Sequence, residues 1–222
     1  KGGVAMFIYD IVLKSFKDAF KSAKQRSGDQ LDTRQVENKR RSADFVECLA
    51  CELRRHYQKE NNSKENNIRV LSKQYSNENY KEFGLNELLY DVLVCKIDHV
   101  SAVKRTDTSL TYVTKGIWAI ESEMAKNTRE ALYDFNKLLL SSCESKLFVG
   151  PLTSYNAEVL ELMSDVTNKS LCYGTFHFTL IPHPDDWEKI TAFNQDNIVI
   201  ESLTLDDLGI KTQTYTSKHS IL

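Results

Sequence analysis

Apolar positions at helical spacing mark the first stretch of the chain. Phe7, Ile8, Ile11, Val12, Phe16, Ala19, Phe20 and Ala23 predict an amphipathic helix over residues 4–26, broken by Ser27, Gly28 and Asp29. The basic run Lys39, Arg40, Arg41 then precedes Ser42, a helix-capping residue type. A second helix is expected over 43–57, with Phe45, Val46, Leu49, Leu53 and Tyr57 as its stripe. Glu52 sits at the edge of that stripe, whereas Glu47 points away and is expected to be solvated.

After the polar loop 61–67 the periodicity changes from helical to alternating. Residues 68–71 read as a short strand, and 87–97 as the longest strand of the chain, with Asp91 at its middle among apolar neighbours. Residues 98–115 form a polar excursion, read as a hairpin. Residues 116–125 then form a buried strand on which Ile117, Ala119, Glu121 and Glu123 share one face and Trp118, Ile120 and Ser122 the other. Asn127 and Thr128 cap a helix with the stripe Ala131, Leu132, Phe135, Leu138 and Leu139, and a buried strand follows over 145–150. Strand, helix, strand in that order is a parallel crossover. A helix over 156–163, a strand over 171–181 stopped by Pro182 and Pro184, a short helix over 185–193 and a loosely held tail from Gln213 complete the chain. The expectation is α/β, a central mixed sheet flanked by helices.

Composition changes this picture little. The 222 residues suit one domain, and a charged fraction of 27% with net charge −2 is ordinary for a globular protein. A dedicated nucleic-acid coat is usually basic, so the balance weighs against pure coating more than against an enzyme with a local basic groove. No apolar run approaches the roughly 20 residues of a membrane span, and none resembles a secretory signal. Five cysteines, an odd number, suggest reduced thiols and a cytoplasmic setting. Cys48 and Cys51 form a Cys-x-x-Cys inside a helical segment, with no second pair to complete a zinc site. The chain begins Lys1-Gly2-Gly3 without Met, so its natural N-terminus is expected to lie upstream.

The chemistry lies in the acids. An Asp inside an apolar strand breaks a local rule, as functional residues often do. Two acids presented together by a buried strand repel unless a cation neutralises them. Asp91, Glu121 and Glu123 on neighbouring strands therefore point to a hard divalent cation, Mg²⁺ or Mn²⁺, completing its shell with substrate phosphate. Glu52, on the helix expected over 43–57, is a further acid of this set. Glu87 shares the face of Asp91 but lies ~13 Å along the strand, too far for the same ion. His177 alternates with Phe176 and Phe178 and reads as a structural histidine, while His183, Asp185 and Asp186 belong to a turn. Lys39, Arg40, Arg41, Arg54 and Arg55 are candidates for phosphate contact or for a solvated helix surface.

At this point the sequence resembles the PD-(D/E)XK nuclease superfamily, the restriction-endonuclease-like fold. Asp91 in Leu-Leu-Tyr-Asp-Val-Leu-Val, then Ala-Ile-Glu121-Ser122-Glu123, the helix segment with Asp134 and Lys137, and the strand from Lys146 to Val149 follow that family's order. The resemblance covers residues 43–150, the implied catalytic core. Residues 1–42 would be a helical extension, and 151–222 the rest of the sheet with a possible specificity region. It implies Asp91 and Glu121 as metal ligands, Glu52 as an accessory ligand or orienting acid, and a DNA endonuclease of restriction or defence type. The family's usual Lys, two residues beyond the second acid, is Glu123 here, a Glu-x-Glu variant. Glu123 would then position or deprotonate water or help hold metal, and Lys137 would supply the missing positive charge. A symmetric homodimer is a natural way to cut both strands of a duplex. A catalytically inactive relative that binds DNA or protein is the alternative.

Overall fold

The computed structural model describes residues 2–26, 33–60, 67–83, 89–102, 105–190, 201–206 and 209–211. Two long helices, α1 (Gly2–Arg26) and α2 (Arg34–Glu60), lead into strand β1 (Ile68–Ser72), a 3-10 turn (Lys73–Tyr75) and helix α3 (Ser76–Phe83). Then come β2 (Val92–Ala102), β3 (Arg105–Ser122), α4 (Thr128–Leu139), β4 (Ser145–Leu152), α5 (Asn156–Lys169) and β5 (Thr175–Pro182). A 3-10 segment (Pro184–Lys189) and the strands β6 (Glu201–Asp206) and β7 (Gly209–Lys211) end the described chain.

The seven strands lie side by side in sequence order. β2 runs antiparallel to both β1 and β3, β3, β4 and β5 run parallel through α4 and α5, β6 lies antiparallel to β5, and β7 antiparallel to β6. A mixed sheet flanked by helices is thus present. Alternation along the strands builds two cores. Val92, Val94, Trp118, Ile120, Leu147 and Val149 pack under α1 and α2, with Ile8, Val12, Phe16, Phe45, Leu49 and Leu53. Leu93, Cys95, Ala119, Phe148, Phe176 and Phe178 pack under α4 and α5, with Ala131, Phe135, Leu138 and Met163. Each large side chain so buried contributes about 1.5–3 kcal/mol.

Four departures from the sequence reading have local causes. The helix expected from residue 43 begins at Arg34, so the boundary drawn at 42/43 falls inside α2 and Ser42 is no cap. Arg41 explains the extension: it is 4% exposed and ties α2 to the 3-10 segment through Pro184 O and Glu188. Second, β2 starts at Val92, so Asp91 sits just before the strand rather than at its middle, and Glu87 lies outside the described residues. Third, Ile117 does not share the face of Ala119. Val94 pairs with Trp118 and Cys95 with Gly116, which leaves Ile117 as the extra residue of a β-bulge, packed on the α1–α2 side. Fourth, α5 runs six residues beyond the expected 163, and β5 starts only at Thr175. The tail from Gln213 lies outside the described residues.

The excursion 98–115 is a hairpin. β1 follows β2 only as far as Lys96, and β4 joins β3 only from Trp118, so beyond those residues β2 and β3 form a two-stranded ribbon. Along it Val100, Leu110, Tyr112 and Val113 are exposed. No described helix is long and apolar enough to cross a membrane.

Candidate active site

The pairing of Val92 with Ile120 carries Asp91 to the end of β3. There its Oδ2 accepts a hydrogen bond from the Ser122 amide at 2.8 Å. That bond fixes the Asp beside Glu121, the last inward acid of the strand. Glu121 is 1% exposed on the α4 side of the sheet. Its Oε2 accepts from Lys137 Nζ at 3.2 Å, and the same ammonium lies 2.7 Å from Asp134 Oδ1. Asp134 and Lys137 are three residues apart on α4, one turn, which is why both reach the strand. Glu123 follows at the strand's end. Its amide donates to Val149 O at 3.0 Å, and its Oε1 accepts from the Ala125 amide at 2.6 Å.

Burial and charge act on this group in one direction. Burial, then the charge of Asp91, push Glu121 up to about 8, against the pull of Lys137. Burial and the neighbouring Asp134 carboxyl raise Glu123 as well. Lys137 is pushed up to about 12: burial works against the cation, but Asp134 and Glu121 outweigh it. The second oxygen of Glu121, Oε1, is buried with no hydrogen-bond partner. Such an orphan costs roughly 1–3 kcal/mol, more when charged, unless a proton or a cation satisfies it.

That orphan is the test of whether a divalent cation suits these residues. Among the described residues no group of three or more His, Cys, Asp or Glu side chains is arranged to hold a metal ion. Magnesium needs fewer. One or two carboxylates with water and substrate phosphate complete its octahedral shell, and Asp91 with Glu121 make two. The donor set fits a hard cation.

Other residues singled out in the sequence lie elsewhere. Glu52 is 8% exposed and engaged by Lys14 at 2.7 Å and by Arg55, so it neutralises the α1–α2 layer and is not gathered with the strand acids. Arg54 pairs with Glu78 at 2.7 Å and lies over the Tyr75 ring, and Arg41 is held as described above. Arg41 thus braces the fold from a buried position, and Arg54 is held in an ion pair at the surface. His177 faces Trp118 and Tyr9, opposite Phe176 and Phe178 as expected, and burial lowers it to about 4. His183 caps the 3-10 segment by accepting from the Asp185 amide at 3.0 Å. The cysteines are all unpaired in disulfides, and burial lifts the Cys48 thiol to about 11, which opposes the thiolate a metal or redox site needs.

Sequence reasoning named Asp134 without giving it a role, and missed the cavity beside Asp91. Asp134 lies one turn from Lys137, so helical spacing would have shown that role. The cavity, about 390 Å³, opens between α2 and the sheet and includes Glu47, Lys39 and Lys73 in its lining. Residues 39, 42, 43, 46 and 47 of that lining follow helical spacing, a stripe obscured when the helix was started at residue 43. No protein-family model, curated protein or solved structure matches this chain.

Proposed function

We propose that this protein is a divalent-metal-dependent phosphodiester hydrolase acting on DNA, an endonuclease of restriction or defence type, as its resemblance to the restriction-endonuclease-like fold implies. The observation that carries the reading is the buried, unpartnered Oε1 of Glu121 beside the charge of Asp91. Lys137 reaches only the Oε2 of Glu121, so its Oε1 is left without a positive partner.

Asp91 and Glu121 would hold Mg²⁺ or Mn²⁺. The bound ion supplies Lewis-acid stabilisation of a phosphoryl oxygen and lowers the pKa of water. The chain's own groups do the rest. Glu121, up at about 8, would have to release its proton to hold the ion, so loading should improve as pH rises. Glu123, raised by burial, is a base whose affinity for a proton suits taking one from water. Lys137, kept cationic by Asp134, offers positive charge where negative charge develops on phosphorus-bound oxygen. A symmetric homodimer would let two such sites address the two strands.

The catalytically inactive relative has one observation in its favour: the Lys137 ammonium already occupies one oxygen of Glu121, and three donors do not gather among the described residues. Incubation of plasmid DNA with Mg²⁺ or Mn²⁺ separates the readings. Wild-type protein should nick or linearise it, and Asp91→Ala should slow this on the order of 10²-fold or more. Undiminished cutting by Asp91→Ala removes the site. DNA retention without cutting by either protein selects the inactive reading.

A further inference from the structure

The cavity beside Asp91 is the feature that the acids alone do not explain. Its walls come from three separate parts of the fold: Lys39 and Ser42 on α2, Ser72 and Lys73 where β1 ends, and Asp91 with Ser122 at the sheet. Its volume of about 390 Å³ lies within the ~300–1,000 Å³ of small-molecule sites. Most basic side chains facing this side of the molecule are spoken for: Lys14, Arg26, Arg41, Arg54 and Arg55 each have a carboxylate partner. Lys39 and Lys73 have none among the described residues. One wall also holds Ser122 Oγ, buried and without a hydrogen-bond partner.

The lining thus carries two charges of each sign, Lys39 and Lys73 against Asp91 and Glu47. A bare cation is repelled by the lysines, and a bare anion by the acids. A phosphate that arrives with a divalent cation satisfies both, its oxygens toward lysine and serine, the cation toward Asp91. We propose that this cavity seats a backbone phosphate of the nucleic-acid substrate, with Lys39 and Lys73 as its positioning cations and Ser122 Oγ as a hydroxyl donor. The assignment rests on the nuclease reading and adds to it the residues that hold the polynucleotide. The lysines act on the substrate from the α2 side of the sheet, while Glu121 and Lys137 act from the α4 side, and Asp91 stands between.

Counterion release gives the test. Each phosphate that a lysine neutralises on duplex DNA contributes about −0.9 to the slope of log Kobs against log[salt]. Binding of a fluorescein-labelled duplex at a fixed concentration of Ca²⁺, a hard cation that takes carboxylate and phosphate oxygens, is measured from low to moderate salt for wild type, for Lys39→Ala/Lys73→Ala, and for the control Lys169→Ala, whose lysine pairs with Asp165 on α5. The double variant should show a slope shallower by about 0.9, the share of the one phosphate seated, and a raised KM for Mg²⁺-dependent cleavage with kcat little changed. The control should match wild type. Both lysines are exposed, so the far-UV circular dichroism of the double variant should be that of wild type. Unchanged slope in the double variant, with cleavage intact, overturns the phosphate seat and leaves the nuclease reading standing. Wild-type protein that retains no duplex at low salt overturns both.

Discussion

Glu121 is a residue whose charged form opposes folding, because it is buried beside another acid. Its folded pKa is about 8 against an ordinary 4.5, so the unfolded chain releases a proton that the folded chain keeps. Above pH 4.5 the folded state binds more protons than the unfolded one, and stability therefore falls as pH rises, until pH 8 is passed. His177 works in the opposite sense. Its pKa falls from 6.5 to about 4 on folding, so stability rises with pH between 4 and 6.5. The Glu121 effect is then read cleanly between pH 6.5 and 8. Urea unfolding in EDTA should show declining stability across that interval for wild type, and a flat line for Glu121→Gln, with the variant the more stable at pH 8.5. An equal decline in both proteins would place the titration on another group. The sequence disclosed this residue because an acid closing a run of Ile, Trp and Ala cannot be accidental in energy. It did not disclose the orphaned oxygen, which depends on where Lys137 reaches, nor the engagement of Glu52, whose partner Lys14 is 38 residues away.

At the scale of elements, the starts of β4 and β5 are knitted together by a lysine that never reaches solvent. Lys146 is 0% exposed, its ammonium donating to Cys143 O at 2.8 Å and to Tyr173 O, with the Phe176 ring 4.9 Å away. Gly174 completes the joint at φ +87°, where a Cβ would stand 2.5 Å from Glu144 O and 2.7 Å from Cys143 O. Both the backbone angle and the crowding exclude a side chain. Lys146→Met strips the charge and leaves two carbonyls without their donor, and Gly174→Ala forces the two loops apart. Each should cost about 2–4 kcal/mol in chemical denaturation; a loss under about 0.5 kcal/mol would mean that water replaces the joint. The strand order β3, α4, β4 was legible from periodicity, because each piece is long and strongly patterned. The start of β2 was not, since Leu89 and Tyr90 extend the apolar run although neither is in the strand and Leu89 is 80% exposed. β6 alternates Leu203 and Leu205 with polar residues, too short a signal to register alone.

On the scale of the whole molecule, the two cores share one sheet, and alternation along each strand sends neighbouring residues to opposite sides. Leu93 serves the α4–α5 core while Val92 and Val94 serve the α1–α2 core, so loosening one side shifts the strands that floor the other. Both tryptophans report from the α1–α2 side: Trp118 donates to Tyr57 Oη at 3.1 Å, and Trp187 packs on Phe16 at 5.3 Å. Phe135 is the centre of the opposite core, fully buried, with the rings of Phe148, Phe176 and Phe178 within 5.5–5.9 Å. Phe135→Ala should remove about 3–5 kcal/mol. If the sheet couples the layers into one cooperative unit, tryptophan fluorescence must register that loss in full, although no tryptophan lies near the cavity created. The fluorescence and far-UV circular dichroism transitions should then move together to lower denaturant and stay coincident. Fluorescence midpoints unmoved by Phe135→Ala, with a separate early transition in the dichroism, would show instead that the α1–α2 layer and the α4–α5 layer unfold independently. In that case Asp91 and Ser122, which line the α2-side cavity, would stand on a different folding unit from Lys137, and the acid site could be lost locally while most of the chain stayed folded.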